Sequence, residues 1–183
     1  MSKYYHMTIA GLERDLPLCP LTDELYIAGF VMFSDVELTK ATASELLSKV
    51  PEFDVILTAE SKGIPLAYEM SRQSGKNYIV ARKGVKLYMV NPHEVDVKSI
   101  TTAKAQKLYL DDHDIERLRG KRVLIVDDVI STGESLASLE RLLEFAKGNI
   151  AAKCAVLAEG AAADRKDIVF LEKLPIFNKA DIK

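Results

Sequence analysis

The chain has 183 residues, 48% of them hydrophobic and 28% charged, a balance typical of one globular domain with a substantial core. Its formal net charge of −2 argues against a broad nucleic-acid-binding surface, and no apolar run approaches the ~20 residues that span a membrane. Cys19 and Cys154 lie far apart and the three histidines are scattered, so no zinc constellation is expected. We expect reduced thiols in a cytoplasmic protein without a signal peptide, and no membrane or nucleic-acid partner.

The first 50 residues are expected to form a separate unit of the single domain (1–183). It contains a short apolar piece at residues 27–33 and a helix with apolar spacing from about residue 42 to 50. The apolar stretches in the C-terminal segment, residues 161–183, are expected to pack against this unit. We call residues 1–50 and 161–183 together the hood.

The core, residues 51–160, alternates predicted strands and helices. Continuous apolar strands separated by amphipathic helices predict an α/β fold, with a parallel twisted sheet flanked by helices on both faces. Ligands of such sheets bind beyond the carboxyl ends of the strands. The predicted strands are 54–58, 78–81, 123–126 and 151–157, and the predicted helices are 64–74 and 135–147.

Residues 85–114 break this alternation. They are rich in lysine and threonine and alternate only weakly between apolar and polar residues, which predicts a protruding β-hairpin or a mobile flap. Lys104 and Lys107 of this flap could cover a bound ligand or could simply be solvated, and the sequence favours neither.

Residues 123–135 are the most informative segment. A predicted strand ends at Asp127 and Asp128, a loop rich in hydroxyls and glycine follows, and a helix begins at once. The helix N-terminus can bind a phosphate, and the two carboxylates can accept hydrogen bonds from vicinal ribose hydroxyls. The alternative is an ordinary turn whose polar residues cap the helix. The predicted ribose-phosphate site consists of Asp127, Asp128, Ser131, Thr132, Gly133, Glu134 and Ser135.

Two further segments carry cations at the ends of predicted strands, residues 59–63 and residues 82–86. Lysine, arginine and backbone N–H groups at a helix start can bind a pyrophosphate. Each segment alone could also be a solvated turn. The predicted pyrophosphate-binding residues are Ser61, Lys62, Gly63, Arg82, Lys83 and Lys86.

Residues 123–135 resemble the phosphoribosyl-pyrophosphate signature of the type I phosphoribosyltransferases: several aliphatic residues, two acids, and then Thr-Gly-x-Ser/Thr. Residues 60–63 and 82–86 are similar to the Glu-Ser-Arg-Gly and Arg-Lys-x-Gly-Lys segments of the adenine-type members, with Lys62 in place of the usual arginine and one residue fewer between Lys83 and Lys86. The resemblance covers about residues 25–180.

The resemblance implies a type I phosphoribosyltransferase fold with a flap hairpin and a hood. It implies transfer of ribose 5-phosphate from phosphoribosyl pyrophosphate to a purine base with release of pyrophosphate, in nucleotide salvage. It also implies that Asp127 and Asp128 are catalytic, that Mg²⁺ is held mainly by the ligand rather than by protein side chains, and that the protein is a homodimer.

The base is predicted from residues 29–35, which resemble the Gly-Val-x-Phe-Arg-Asp segment that adenine-specific members use over the base, with Ser34 in place of the arginine. Adenine is therefore the expected base, contacted by Met32, Phe33 and Ile130, although the first two could equally be hydrophobic core. Residues 101–106 lack the acidic Glu-Tyr-Gly of the family's flap. Alternatives are a xanthine- or hypoxanthine-type enzyme, or a regulator that senses phosphoribosyl pyrophosphate without turnover.

Overall fold

The computed structural model describes residues 4–96 and 107–182, which form two main sheets, one hairpin and four α-helices. The helices are α1 (Val36–Lys49), α2 (Ile64–Ser74), α3 (Asp112–Leu118) and α4 (Glu134–Phe145). The strands are β1 (Tyr4–Ile9), β2 (Leu12–Pro20), β3 (Leu25–Ala28), β4 (Val55–Ala59), β5 (Asn77–Ala81), β6 (His93–Asp96), β7 (Lys107–Leu110), β8 (Arg122–Ile130), β9 (Asn149–Glu159), β10 (Val169–Leu174) and β11 (Ile176–Asn178).

The central sheet has five strands in the order β10-β9-β8-β4-β5, and every neighbouring pair is parallel. Successive residues of a strand point to opposite faces, so Ile56 and Leu57 belong to two different hydrophobic clusters. One cluster is covered by α3 and α4, and the other by α2 and the hood, which includes α1. The predicted fold class, a parallel twisted sheet flanked by helices, is confirmed.

Helix α1 begins at Val36, one and a half turns before the predicted start. Asp35 caps it by accepting a hydrogen bond from the Leu38 N–H at 3.0 Å, and Arg14 from β2 pairs with Asp35 at 2.7 Å. The first turn is therefore held by a cap and by an ion pair with a distant strand, and apolar spacing alone does not report either contact.

Strand β8 continues four residues beyond its predicted carboxyl end, to Ile130. Asp127 and Asp128 do not follow the strand but lie within it, because β8 continues to pair with β9 up to Ile130 opposite Ala158. The acid pair therefore has a rigid backbone, and the connection from Ile130 to α4 is only three residues long.

The C-terminal segment divides between the two main sheets. Strand β11 pairs antiparallel with β3 in a four-stranded sheet of order β1-β2-β3-β11, and the ring of Phe177 lies 5.1 Å from the ring of Tyr5. Strand β10 instead extends the central parallel sheet beside β9. Both strands contact the N-terminal unit, because β11 pairs with β3, and β10, although it belongs to the central sheet, packs against α1.

Strands β6 and β7 form an antiparallel hairpin inside the region predicted as a flap. Its base is tied to the central sheet, because Arg82 and Tyr109 exchange backbone hydrogen bonds of 2.9 and 2.8 Å. Lys104 and the segment 101–106 lie outside the described residues. No helix in the described ranges is both long and apolar enough to cross a membrane.

Candidate active site

Three loops meet at the carboxyl edge of the central sheet, after β4, β5 and β8. These strands are neighbours in the order β8-β4-β5, so the loops lie side by side. They contain, respectively, residues 60–63, 82–86 and 131–133, which are the three segments predicted to bind anions. The structure therefore brings the predicted sites together at one edge.

The loop between β8 and α4 turns through Gly133, whose φ of 81° lies in the left-handed region that favours glycine. Helix α4 begins at the next residue, so the positive end of its dipole faces this loop. The Thr132 hydroxyl contacts the Glu134 N–H at 3.5 Å, the long limit of a hydrogen bond. A glycine turn before a long helix has the backbone geometry that binds phosphate.

Asp127 and Asp128 are adjacent carboxyl groups with little solvent around them. Asp127 Oδ1 accepts the Asp128 N–H at 2.9 Å, and Asp128 is only 2% exposed. Burial, and then the negative charge of Asp128, raise the pKa of Asp127 to about 7. Two acidic side chains are thus held together where a ligand can supply hydrogen-bond donors.

Lys62, at the start of α2, is the cation nearest to this pair among the described residues. Its Nζ lies 3.3 Å from Asp128 Oδ2, an ion pair without hydrogen-bond geometry. The Lys62 side chain is half exposed, so its charge can turn toward a ligand while Asp128 stays fixed in the strand.

Three buried polar atoms in the described ranges lack a hydrogen-bond partner, and all three lie at this edge. They are Thr58 Oγ1 in β4, Arg82 Nε directly after β5, and Asp128 Oδ2 in β8. A buried polar atom without a partner costs free energy unless a water or a ligand binds it. Their convergence on one edge indicates a polar ligand site.

The loop after β4 packs directly on the acid strand. A Cβ built on Gly63 would lie 2.5 Å from Thr58 Oγ1 and 3.3 Å from Asp127 Cα, so a side chain here would force the backbone apart. The peptide bond between Glu60 and Ser61 is cis. Gly63 thus allows the Lys62 loop and the acid pair to be close neighbours.

Glu60 joins the two cationic loops. Its carboxylate accepts the Lys83 N–H at 2.9 Å and lies 3.7 Å from Lys86 Nζ. The hydrogen bond from Lys83 is the largest cause that lowers the pKa of Glu60. Glu60 therefore fixes the spacing between the loop at 60–63 and the loop at 82–86.

The three residues predicted to contact the base lie in different environments. Met32, a residue of the hood, is 1% exposed and packs in the hydrophobic core, where it borders a cavity of about 200 Å³ together with Pro65 and Tyr68 of α2. Phe33 is 48% exposed, and Ile130 is buried at the end of β8. Of the three, Ile130 directly adjoins the phosphate loop.

Sequence reasoning did not single out Thr58, Glu60, Glu159 or Arg165. Glu159 ends β9, one residue after the partner of Ile130, and burial raises its pKa while nearby Lys62 opposes the rise. Glu60 lies in a segment that the sequence already predicted to bind an anion, so its place in that segment could have pointed to a role at the site. Thr58 and Arg165 reach the site only through the tertiary fold, which no local pattern reports.

The donor set suits a magnesium ion held mainly by its ligand. Within the described ranges, no group of three or more histidine, cysteine, aspartate or glutamate side chains could hold a metal. Two neighbouring carboxylates with an unpartnered oxygen are present, and Mg²⁺ commonly binds one or two carboxylates together with waters and substrate phosphates. Asp127 and Asp128 are therefore the residues that fit the ion.

The sequence pattern of the phosphoribosyl transferase domain matches residues 37–180, which is most of the chain. The chain belongs to this family. The predicted type I phosphoribosyltransferase family, its fold and its enzyme class are thus confirmed.

Similar proteins carry two kinds of name. A hypoxanthine/guanine phosphoribosyltransferase of Methanotorris igneus is 31% identical over 94% of this chain and 95% of its own length. An adenine phosphoribosyltransferase of Bifidobacterium animalis is 30% identical over 78% of this chain and 74% of its own. The crystal structure of adenine phosphoribosyltransferase from Thermoanaerobacter pseudethanolicus superposes with a TM-score of 0.65 at 19% identity, over 93% of this chain and 95% of that one.

Proposed function

We propose that this phosphoribosyltransferase transfers ribose 5-phosphate from phosphoribosyl pyrophosphate to a purine, with adenine as the expected base, and releases pyrophosphate. The observation that carries the proposal is the position of the acid pair. Asp127 and Asp128 lie in β8, directly before the predicted phosphate loop, and the two cationic loops follow the strands β4 and β5 on one side of β8. A sugar with phosphate groups at both ends matches that order of charges.

The ligand would lie along the carboxyl edge of the sheet. Its 5-phosphate binds residues 131–135, and its ribose hydroxyls donate to Asp127 and Asp128. Its pyrophosphate binds the cationic loops, where the buried Arg82 Nε is without a partner. The pyrophosphate-binding residues proposed are Ser61, Lys62, Gly63, Arg82, Lys83 and Lys86.

The chemistry asks for electrostatic stabilisation rather than for a nucleophile. Breaking the bond between ribose C1 and the pyrophosphate oxygen leaves positive charge on the ribose and additional negative charge on the leaving group. Asp127 and Asp128 stabilise the first, and Lys62, Arg82 and Lys83 the second. Mg²⁺, when bound, would supply further positive charge at the pyrophosphate.

The raised pKa of Asp127 fits this role. With no ligand, burial and Asp128 favour the protonated form of Asp127. Ribose hydroxyls that donate hydrogen bonds to the carboxylate favour the ionised form, as does Lys62. Binding of the sugar would therefore lower the pKa of Asp127 and bring its negative charge next to the reacting C1 atom.

Hypoxanthine or guanine is the second candidate base. It is favoured by the relatives of that name, one of which aligns over nearly the whole chain. Adenine is favoured by the resemblance of residues 29–35 and by the adenine-named relative.

The test is pyrophosphate release from phosphoribosyl pyrophosphate and Mg²⁺ with adenine, hypoxanthine, guanine, xanthine, uracil and orotate in turn. Release with adenine supports the full proposal, and release with hypoxanthine or guanine alone replaces the base. Release with only orotate or uracil, or no release with any base of the panel, would contradict the purine proposal. Asp128→Asn is the matched control, since it keeps the volume of the side chain but loses its charge.

A homodimer is also proposed. Val36 and Tyr68 border the same cavity between α1 and α2, and both are more than half exposed, as is nearby Val31. An apolar face of this kind on the catalytic domain suits a second copy of the chain. Sedimentation equilibrium should give twice the mass of 20.3 kDa, and Tyr68→Glu should shift the protein toward that single-chain mass.

A further inference from the structure

Arg165 reaches the phosphate loop from a distant part of the chain. A 3₁₀ turn, Gly160–Asp164, follows β9 and returns the chain toward α4. A Cβ built on Gly133 would lie 2.8 Å from Arg165 Nη1, so the guanidinium group rests against the loop where the glycine leaves room.

The guanidinium group is held in one orientation. Its Nε donates to Asp167 Oδ1 at 2.9 Å and its Nη2 donates to Asp167 Oδ2 at 2.7 Å, a bidentate pair that leaves Nη1 directed at the loop. Lys153 of β9 donates to the same Asp167 at 2.5 Å and to Glu140 of α4 at 2.8 Å. Through Asp167 and Lys153, Arg165 is therefore tied to β9 and to α4, the helix that follows the phosphate loop.

The charge of the loop makes this position significant. Residues 127–135 contain three acids and no cation. A phosphate bound there by backbone amides would therefore receive no positively charged side chain from this segment itself. Arginine stays charged at any working pH and binds phosphate oxygens through well-directed N–H groups.

We propose that Arg165 is a further ligand of the substrate's 5-phosphate, donating from Nη1 while Asp167 holds the group in place. The inference rests on the proposed function, because it assigns a partner to the phosphomonoester end of the same ribosyl substrate. The pyrophosphate end binds the cationic loops after β4 and β5, so the two ends can be probed separately.

The test is isothermal calorimetry with two probes, ribose 5-phosphate and inorganic pyrophosphate. Arg165→Gln should weaken ribose 5-phosphate binding about tenfold or more, the size expected for a lost charge-assisted hydrogen bond, and leave pyrophosphate binding within about twofold. The affinity of Arg165→Lys for ribose 5-phosphate should lie between those of the wild type and Arg165→Gln, because lysine keeps the charge but loses the planar, well-directed N–H donors of the guanidinium group. Asp167→Asn should weaken ribose 5-phosphate binding less than Arg165→Gln does, because the guanidinium group remains but loses its orientation.

Lys166→Gln is the matched control, since it removes an exposed positive charge from the adjacent position. If Arg165→Gln binds ribose 5-phosphate as tightly as Lys166→Gln does, the inference is overturned. If Arg165→Gln weakens both probes equally, the effect is general rather than local, and the inference is again overturned. If the wild-type protein does not bind ribose 5-phosphate, the phosphate-loop assignment and Arg165 fall together.

Failure of the proposed function looks different. The selective loss of ribose 5-phosphate binding in Arg165→Gln can occur even if no purine releases pyrophosphate. In that case the contact of Arg165 with the phosphate is supported, and only the purine-transfer proposal is contradicted.

Discussion

The two ends of the central sheet treat their acidic residues in opposite ways. At the amino end, Asp54 is saturated: it accepts the Arg122 N–H and the Arg122 Nη2 group, both at 2.8 Å. At the carboxyl end, Asp127 and Asp128 are adjacent, and Asp128 Oδ2 has no hydrogen-bond partner among the described residues. The amino end is complete without a ligand, whereas the carboxyl end is not.

The pKa values report the same contrast. Hydrogen bonds from Arg122 lower the pKa of Asp54 to about 2, while burial raises that of Asp127 to about 7. An acid with a lowered pKa stabilises the folded state above its unfolded pKa, and an acid with a raised pKa destabilises it there. The acid pair at the carboxyl edge therefore lowers the stability of the ligand-free folded state, and a ligand can offset that cost. Asp54 at the amino edge stabilises the folded state without a ligand.

The largest expected effect is loss of turnover in Asp128→Asn. Removing one charge at the reacting ribose should lower kcat/KM by about 100-fold or more, as the loss of a preorganised electrostatic group does in other enzymes. Pyrophosphate release measures it. Asp54→Asn makes the same chemical change at the other end of the sheet, and an equal loss there would contradict the comparison.

The next effect concerns the glycine beneath the Lys62 loop. Gly63→Ala places a methyl group 2.5 Å from Thr58 Oγ1, so the loop must shift, at a cost of about 1–3 kcal/mol of stability and with weaker pyrophosphate binding. Gly84→Ala is the control, since its Cβ would meet nothing within 4 Å. Thermal unfolding and pyrophosphate titration of both variants check the prediction, and equal behaviour of the two would refute it.

Asp127→Asn should make the ligand-free protein more stable at pH 8. Between the ordinary pKa of 3.8 and about 7, the folded state binds more protons than the unfolded state, so wild-type stability falls as the pH rises through this range. The neutral asparagine escapes that loss. The melting temperature of the variant should exceed that of the wild type at pH 8, by roughly 2–4 °C for each kcal/mol gained in the free energy of unfolding. This difference in melting temperature should shrink toward pH 4. A gap that is constant with pH would show that folding does not raise the pKa of Asp127.

The smallest effect is expected for the stability of Asp54→Asn, because the Asp54–Arg122 pair is solvated. The variant should melt slightly below the wild type at pH 7, and the difference should shrink as the pH falls from 4 toward 2, where the wild-type carboxylate begins to be protonated. Scans at both ends of that range test it. A pH trend with the same sign as that of Asp127→Asn would contradict the contrast between the two ends.

Local sequence patterns predicted the elements that carry the chemistry, and tertiary contacts decided the rest. Helix α2 was predicted with its observed bounds because its glycine flanks, an early Pro65 and apolar spacing all agree. The extension of β8 through Asp127 was missed, since acids usually end a buried strand and only pairing with β9 keeps them in it. The first turn of α1 was missed because Arg14 of β2 contributes to it.

The site residues divide in the same way, into those that local motifs predict and those that only the tertiary fold brings to the site. The acid pair and the cations of residues 82–86 stand in contiguous motifs, and the sheet order brings them together as expected. Arg165 lies 32 residues beyond Gly133, in a turn with no signature of its own, and only the fold shows that it touches the loop. Which environment Met32 occupies was also undecidable from an apolar run, and the fold buries it.

The central claim is that the carboxyl-edge acids bind the ribose hydroxyls. The direct measurement is the ratio of the dissociation constants of ribose 5-phosphate and 2-deoxyribose 5-phosphate, for the wild type, Asp127→Asn and Asp128→Asn. We predict that the wild type prefers ribose 5-phosphate and that the preference shrinks in at least one variant. In that variant the carboxylate that accepts the hydrogen bond of the 2-hydroxyl is gone, so a sugar without this hydroxyl loses less binding. An unchanged preference in both variants would show that the ribose hydroxyls bind elsewhere.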